Sequence, residues 1–169
     1  MKTTCSIRKM QAFDINDLSQ GFISQGWPGR EEILDRYFLE QECGEREVLV
    51  AEVEGALAGY ITILPCAKQG PFAEIYPELS DFNVFEPFQN QGIGNLLMEE
   101  AEKRVKLISD KVTLGVGLHS GYGPAQRLYI KRGYIPDGSG VWYRNQPLEM
   151  NATIQNNDDL VLYLSKKFE

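Results

Sequence analysis

The run VFEPFQNQGIGNLLMEEAEKRV, Val84 to Val105, sets the firmest limit on what this chain can fold into. It leaves a strand-like segment, LSDFNVF, and turns through two glycines one residue apart. It then enters a helix with Ile93, Leu97, Ala101 and Ile108 on one face. A strand that turns directly into an amphipathic helix points to an α/β architecture. Such a turn aims backbone N–H groups outward where the helix dipole adds partial positive charge, so it suits a phosphate.

Neither common nucleotide fingerprint fits. A Walker loop requires a lysine at the helix start, whereas Asn95 follows Gly94. A dinucleotide fingerprint requires a third glycine three residues after Gly94, where Leu97 stands. GVGLHSG, Gly115 to Gly121, has one residue too many before its last glycine. Taken alone, Gly92 and Gly94 are explained equally well by a tight turn that needs glycine's freedom.

Around this run the pattern alternates. CSIRKM reads as a strand. Ile15, Leu18 and Phe22 fall at helical spacing, as do Ile33, Leu34, Tyr37 and Phe38, with QGWPG breaking the helix between them. EVLVAEVEGALAGYITILP gives two strands pivoting on Glu54-Gly55, a hairpin signal. CAKQGPFAEIYPE is a loop long enough to be functional. KVTLGVGL places Val112, Leu114, Val116 and Leu118 on one face of a strand and Thr113, Gly115 and Gly117 on the other. GPAQRLYIKRG is a short helix, with Pro124 in its first turn and Gly133 at its C′ position. YIPDGSGVWYR and DDLVLYLS end the chain as strands flanking the polar connection NQPLEMNATIQNN. The order is β-α-α-β-β-β-α-β-α-β-β in one domain, residues 1–169, with no internal repeat or linker.

Composition removes several function classes. A net charge of -7 repels a nucleic-acid backbone and favours cationic small molecules over distance. Cys5, Cys43 and Cys66 are widely spaced without a C-x-x-C pair, so neither a metal site nor a disulfide framework is expected. No apolar run nears the ~20 residues of a membrane span, and MKTTCSIRKM lacks an apolar targeting core, so a cytoplasmic protein is expected. Asn151 is then a glycosylation sequon in form only.

The spacing V-x-x-x-x-Q-x-x-G-x-G from Val84 to Gly94, carried by a strand entering a helix, resembles the acyl-CoA pyrophosphate loop of the GCN5-related N-acetyltransferases (GNAT). Further on, GPAQRLYIKRGYIPDG is similar to that family's second signature, A-x-x-L-Y-x-K-x-G-F, as Ala125, Leu128, Tyr129, Lys131, Gly133 and Tyr134. The element order matches too, and the resemblance implies a single-domain mixed, mostly antiparallel sheet of about seven strands flanked by about four helices. Three positions depart from the family pattern: Gln89 replaces the commoner arginine, Tyr134 stands for phenylalanine, and Tyr122 stands where many members carry asparagine.

The resemblance implies acetyl-CoA as cosubstrate and direct acetyl transfer to a primary amine of a small molecule or peptide, without a metal. The acetyl thioester would lie where the strand before the loop splays from the next long strand. The pantetheine arm would pair with the backbone of Phe82, Val84 and Phe85. The amides of Gln89, Asn90, Gln91, Gly92, Ile93 and Gly94 would hold the pyrophosphate, with Asn95 capping nearby. Gly115 and Gly117 would permit close approach of a ligand or of a packed helix. Tyr129 matches the family's general acid, and a phenol with a pKa near ~10 can protonate and stabilise a leaving thiolate.

Two residues are candidate bases. Glu78 lies six residues before Val84, on the same face by period-two alternation, with Asp81 on the other face. His119 is the chain's single histidine, ends the facing strand, and has an ordinary pKa near ~6.5. Ordered water is the third option. An acceptor site would draw in Trp27, Phe72, Tyr76 and Trp142, and no nucleic acid or membrane is expected as partner, while a homodimer is possible. A non-catalytic acetyl-CoA sensor of the same fold is the alternative, and retention of Tyr129 argues against it.

Overall fold

The computed structural model describes residues 4–169; Met1 to Thr3, where the polar N-terminal stretch begins, lie outside the described residues. The elements are β1 (Cys5–Lys9), α1 (Asp14–Ser24), α2 (Glu31–Glu42), β2 (Glu47–Val53), β3 (Ala56–Leu64), β4 (Glu78–Val84), α3 (Ile93–Lys106), β5 (Lys111–Gly117), α4 (Gly123–Lys131), β6 (Ile135–Tyr143), β7 (Gln146–Pro147) and β8 (Leu160–Lys167). The strands hydrogen-bond in the order β1-β2-β3-β4-β5-β8-β6-β7. The β1–β2, β2–β3, β5–β8, β6–β8 and β6–β7 pairs are antiparallel, and β4 pairs with β5 in parallel.

Among the described residues this is the expected mixed, mostly antiparallel sheet with four helices, but with eight strands rather than about seven. The additional strand is β7, inside the connection read as irregular. Arg144 and Asn145 both take positive φ, 48° and 62°, which folds the chain back so that Gln146 and Pro147 face Tyr143 and Trp142. That pair of dihedrals is the one a two-residue type I′ hairpin demands.

The chain divides into two compact units. The first comprises the described residues up to Leu64 together with Ser80–Arg104. Its hairpin between β2 and β3 turns at Glu54 (φ 51°) and Gly55 (φ 84°), as the sequence indicates. Leu18 and Phe22 of α1 and Leu34 and Tyr37 of α2 are buried with Met10, Val48, Val50, Tyr60 and Phe85 in one core cluster. Ile15, Ile33 and Phe38 pack against it from the same helices, which confirms the 3.6-residue spacing. In α3, Ile93, Leu97 and Ala101 are buried, whereas Ile108 is 62% exposed because the helix ends at Lys106.

The reading of β4 as a simple alternating strand is corrected. Asp81 has φ 48°, a left-handed conformation within the strand. This breaks the period of two, so the shared face counted from Glu78 to Val84 does not carry through the strand. Gly59 of β3 lies so close to it that an added Cβ would stand 2.2 Å from the Asn83 carbonyl oxygen.

The second unit comprises Pro65–Leu79 and Val105–Glu169. Here β5 runs in register with β8 from Lys111–Lys167 to Gly117–Val161, and Glu78 and Leu79 sit parallel to Thr113 and Leu114. Of the residues placed on one face of β5, Val112, Leu114 and Val116 are buried, but Thr113 of the other face is buried too, and the strand ends at Gly117, before Leu118. No described helix is long and apolar enough to cross a membrane.

Candidate functional site

The loop after β4 is built for backbone donation. A short 3-10 turn at Glu86–Phe88 is followed by Gln89 in extended backbone, then by Asn90 (φ 61°) and Gly92 (φ 82°). Two positive-φ residues two positions apart turn the chain sharply here, and a turn of this kind into a helix can present backbone N–H groups to an anion. The first intrahelical bond of α3 is Leu96 N–H to the Gly92 carbonyl, 3.2 Å, so the amides just before Leu96 have no carbonyl of their own helix to reach. Acidic residues occupy the first turns of α1 (Asp14, Asp17) and α2 (Glu31, Glu32), but that of α3 has none.

Several of the expected participants already have internal bonds. The Gln89 amide donates to the Glu86 carbonyl at 3.2 Å, and the Gln89 side chain donates to the Val84 carbonyl at 2.9 Å. Gln89 thus clasps the strand end. The Phe85 amide donates to the Ala58 carbonyl at 2.8 Å, and the Phe85 ring is buried edge-on to Phe22 at 5.2 Å. Phe82 and Val84 are half-buried, and Asn90, Gln91, Gly92 and Asn95 are exposed.

Tyr129 is held by the C-terminal cap of α4. The Tyr134 N–H donates to the Tyr129 carbonyl (3.0 Å), and the N–H of Gly133, at φ 94°, donates to the Ile130 carbonyl (3.1 Å). This is a Schellman arrangement, with its usual apolar contact provided by the Tyr129 and Tyr134 rings, 6.0 Å apart. The spacing from Tyr129 to Gly133 and Tyr134 is therefore the spacing of a helix cap. Tyr129 is buried, and burial, followed by the neighbouring Tyr122, raises its phenol above the usual value. Such a group keeps its proton at neutral pH.

The base candidates differ. Glu78 begins β4, half-buried, and its negative charge helps burial raise the Tyr163 phenol. His119 caps the 3-10 turn at Ser120–Tyr122: its Nδ1 accepts the Gly121 N–H at 3.0 Å, so its Nε2 faces Asp158 Oδ1 at 2.6 Å as the protonated nitrogen. To accept a proton at Nδ1, His119 would have to give up that cap. Asp81, the weaker reading from sequence, accepts five hydrogen bonds: two from Arg30 and one each from Tyr37, Tyr60 and Asn83. A carboxylate so fully committed is a structural anchor.

The glycines of β5 make room for side chains of the protein itself. A Cβ on Gly117 would lie 2.2 Å from the Tyr122 ring, and one on Gly115 would lie 2.9 Å from Val161 and 3.1 Å from Tyr163. The Tyr122 ring thus occupies the space over Gly117, and it lies tilted to the His119 ring at 4.6 Å. Among the proposed acceptor-side aromatics, Phe72 and Tyr76 meet edge-on at 6.2 Å, Trp142 meets Tyr163 at 5.7 Å, and Trp27 is 62% exposed. No cluster of three or more metal-ligating side chains occurs among the described residues.

A family model described as acetyltransferase (GNAT) family matches residues 13–134. No curated protein matches the sequence. Among solved structures, the chain is similar to a ribosomal-protein-alanine N-acetyltransferase from Brucella melitensis, at 18% identity and TM-score 0.71 over 96% of this chain and 99% of that one. It is similar to an N-acetyltransferase from Staphylococcus aureus Mu50, at 13% identity and TM-score 0.73 over 99% and 100%. A third is yncA of Salmonella typhimurium with its cofactor acetyl-CoA, at 16% identity and TM-score 0.69 over 98% and 94%. At such identities these likenesses establish the fold alone.

Proposed function

Because the chain belongs to the GNAT acetyltransferase family, we propose that it moves an acetyl group from acetyl-CoA directly to a primary amine of a small molecule or peptide. The observation that carries this reading is the loop before α3, with positive φ at Asn90 and Gly92, leading into a helix whose first turn has no acid. These residues fit a pyrophosphate. The amides of Asn90, Gln91, Gly92, Ile93 and Gly94, with Asn95 beside them, would hold it. Gln89 serves instead to fix the loop to Val84.

Bound acetyl-CoA supplies an activated acetyl thioester. The backbone of Phe82 to Val84 orients the pantetheine arm. The Tyr129 hydroxyl, kept protonated by burial, holds the proton that the leaving thiolate takes. Glu78 accepts a proton from the attacking amine, directly or through water. Because the cap takes Nδ1 of His119 and Asp158 takes its Nε2, this residue is assigned to fixing the turn before α4. The same reading expects a cytoplasmic protein.

Thiol release from acetyl-CoA across a panel of primary amines tests the proposal. Turnover with at least one amine, dependent on Tyr129, is the expected result. Binding of acetyl-CoA without turnover on any amine would identify a sensor instead.

A further inference from the structure

The first unit contains a polar cluster that the reaction described above does not use. Asp81 Oδ1 accepts from Arg30 (3.0 Å) and Asn83 (2.8 Å), and Oδ2 accepts from Arg30 (2.8 Å), Tyr37 (2.9 Å) and Tyr60 (2.9 Å). The Asp81 side chain is 16% exposed and that of Arg30 22%. Arg30 also donates to the Tyr60 hydroxyl at 2.6 Å and lies over the Phe22 ring at 5.1 Å, while its backbone N–H is held by Ser19 Oγ at 2.9 Å. One carboxylate thus ties the start of α2, the body of α2, β3 and β4 together.

The convergence falls on the residue where β4 leaves regular extension. A left-handed aspartate costs of order 1 kcal/mol relative to ordinary backbone, and such a conformation persists where its surroundings over-determine it. The same carboxylate holds the side chain of Asn83, two residues further on. On the other side, Gly59 brings β3 against the Asn83 carbonyl, leaving no room for even a methyl group. Asp81 to Asn83 is therefore clamped as one piece, and it runs into the segment assigned to the pantetheine arm.

We propose that Arg30 and Asp81 are positioning residues that lock the irregular β4 backbone into the shape that receives coenzyme A, an inference that rests on the acetyl-CoA reading. The two-point contact is what makes the lock directional. A guanidinium fork matches a carboxylate in one plane, whereas a lysine supplies a single point charge.

The test is coenzyme A affinity by calorimetry, with kcat and KM for acetyl-CoA measured alongside. Arg30→Met should weaken binding by about 10- to 100-fold, the scale of a misplacement near 1 Å, and raise KM more than it lowers kcat. Arg30→Lys should recover part of the loss. Tyr37→Phe, which removes one bond of the five, keeps the test alive should Arg30→Met fail to fold, and should weaken binding about two- to tenfold. Arg8→Met is the control, because it breaks a comparable bidentate pair with Asp14 in the same unit without touching β4, and should keep parental affinity. Parental affinity in Arg30→Met or Tyr37→Phe, or an equal loss in Arg8→Met, overturns the inference. A parent protein that does not bind coenzyme A overturns the acetyl-CoA reading, and the inference with it.

Discussion

Two glycine-bearing segments, each between a strand and a helix, look alike as letters and differ as matter. In QNQGIGN, Gly92 has φ 82° and nothing within 4 Å of where a Cβ would stand, so glycine is there for its backbone and the space around it is open. In GVGLHSG, Gly117 lies against the Tyr122 ring and Gly121 against that of His119, so glycine is there for its small volume and the space is filled. The difference divides the work. On the proposed reading the open segment would bind a ligand through amides, whereas the filled one packs the turn that leads into α4, which carries Tyr129, the proposed proton donor.

The largest test of that division falls on Tyr129. Tyr129→Phe should lower kcat by about 10- to 1,000-fold while coenzyme A affinity stays parental. Because burial and Tyr122 raise this phenol above 10, any loss of kcat below pH 10 in the parent belongs to another group. Turnover unchanged in the variant makes Tyr129 a packing residue. Glu78→Gln comes next, with kcat/KM reduced about 100-fold and the acidic limb of its pH profile removed or shifted, while His119→Gln leaves that limb in place. If both variants keep the parental profile, the limb is the amine's own ionisation.

The open segment is tested by Gly94→Val, expected to weaken coenzyme A binding about 10- to 100-fold, as for loss of a charge-assisted hydrogen bond, in a protein that stays folded. Equal affinity by calorimetry removes the pyrophosphate assignment. The smallest effects separate the two kinds of glycine through stability alone. Gly117→Ala should cost about 1–3 kcal/mol by overpacking against Tyr122, and Gly92→Ala about 1 kcal/mol from backbone alone. Thermal melts that rank them in the opposite order would erase the comparison.

What the sequence reveals here is what short-range chemistry decides. Glu54-Gly55 announces its hairpin, the apolar spacing of α1 and α2 announces their buried faces, and Gly133 announces the cap beside Tyr129, because each depends on residues within a turn of one another. The strand β7 goes unread because two paired residues leave no period, although Asn145 after Arg144 was a usable turn signal. The network on Asp81 joins positions up to 51 residues apart, and no local pattern marks aspartate as left-handed within a strand. Nor could spacing show that Gln89 turns back onto Val84 or that the ring of Tyr122 needs Gly117.

The left-handed turn at Asp81 also restricts what can be written at that position. The backbone there readily admits glycine, asparagine and aspartate and resists most other side chains. The ring of donors applies a second filter: glycine offers them nothing, and asparagine brings an amide N–H where the Arg30 guanidinium, a donor only, requires an acceptor. Glutamate passes the chemical filter and fails the conformational one. Two unrelated demands thus intersect at a single letter, so a library that varies β4 freely should return functional clones with aspartate at 81 even where the neighbouring positions drift.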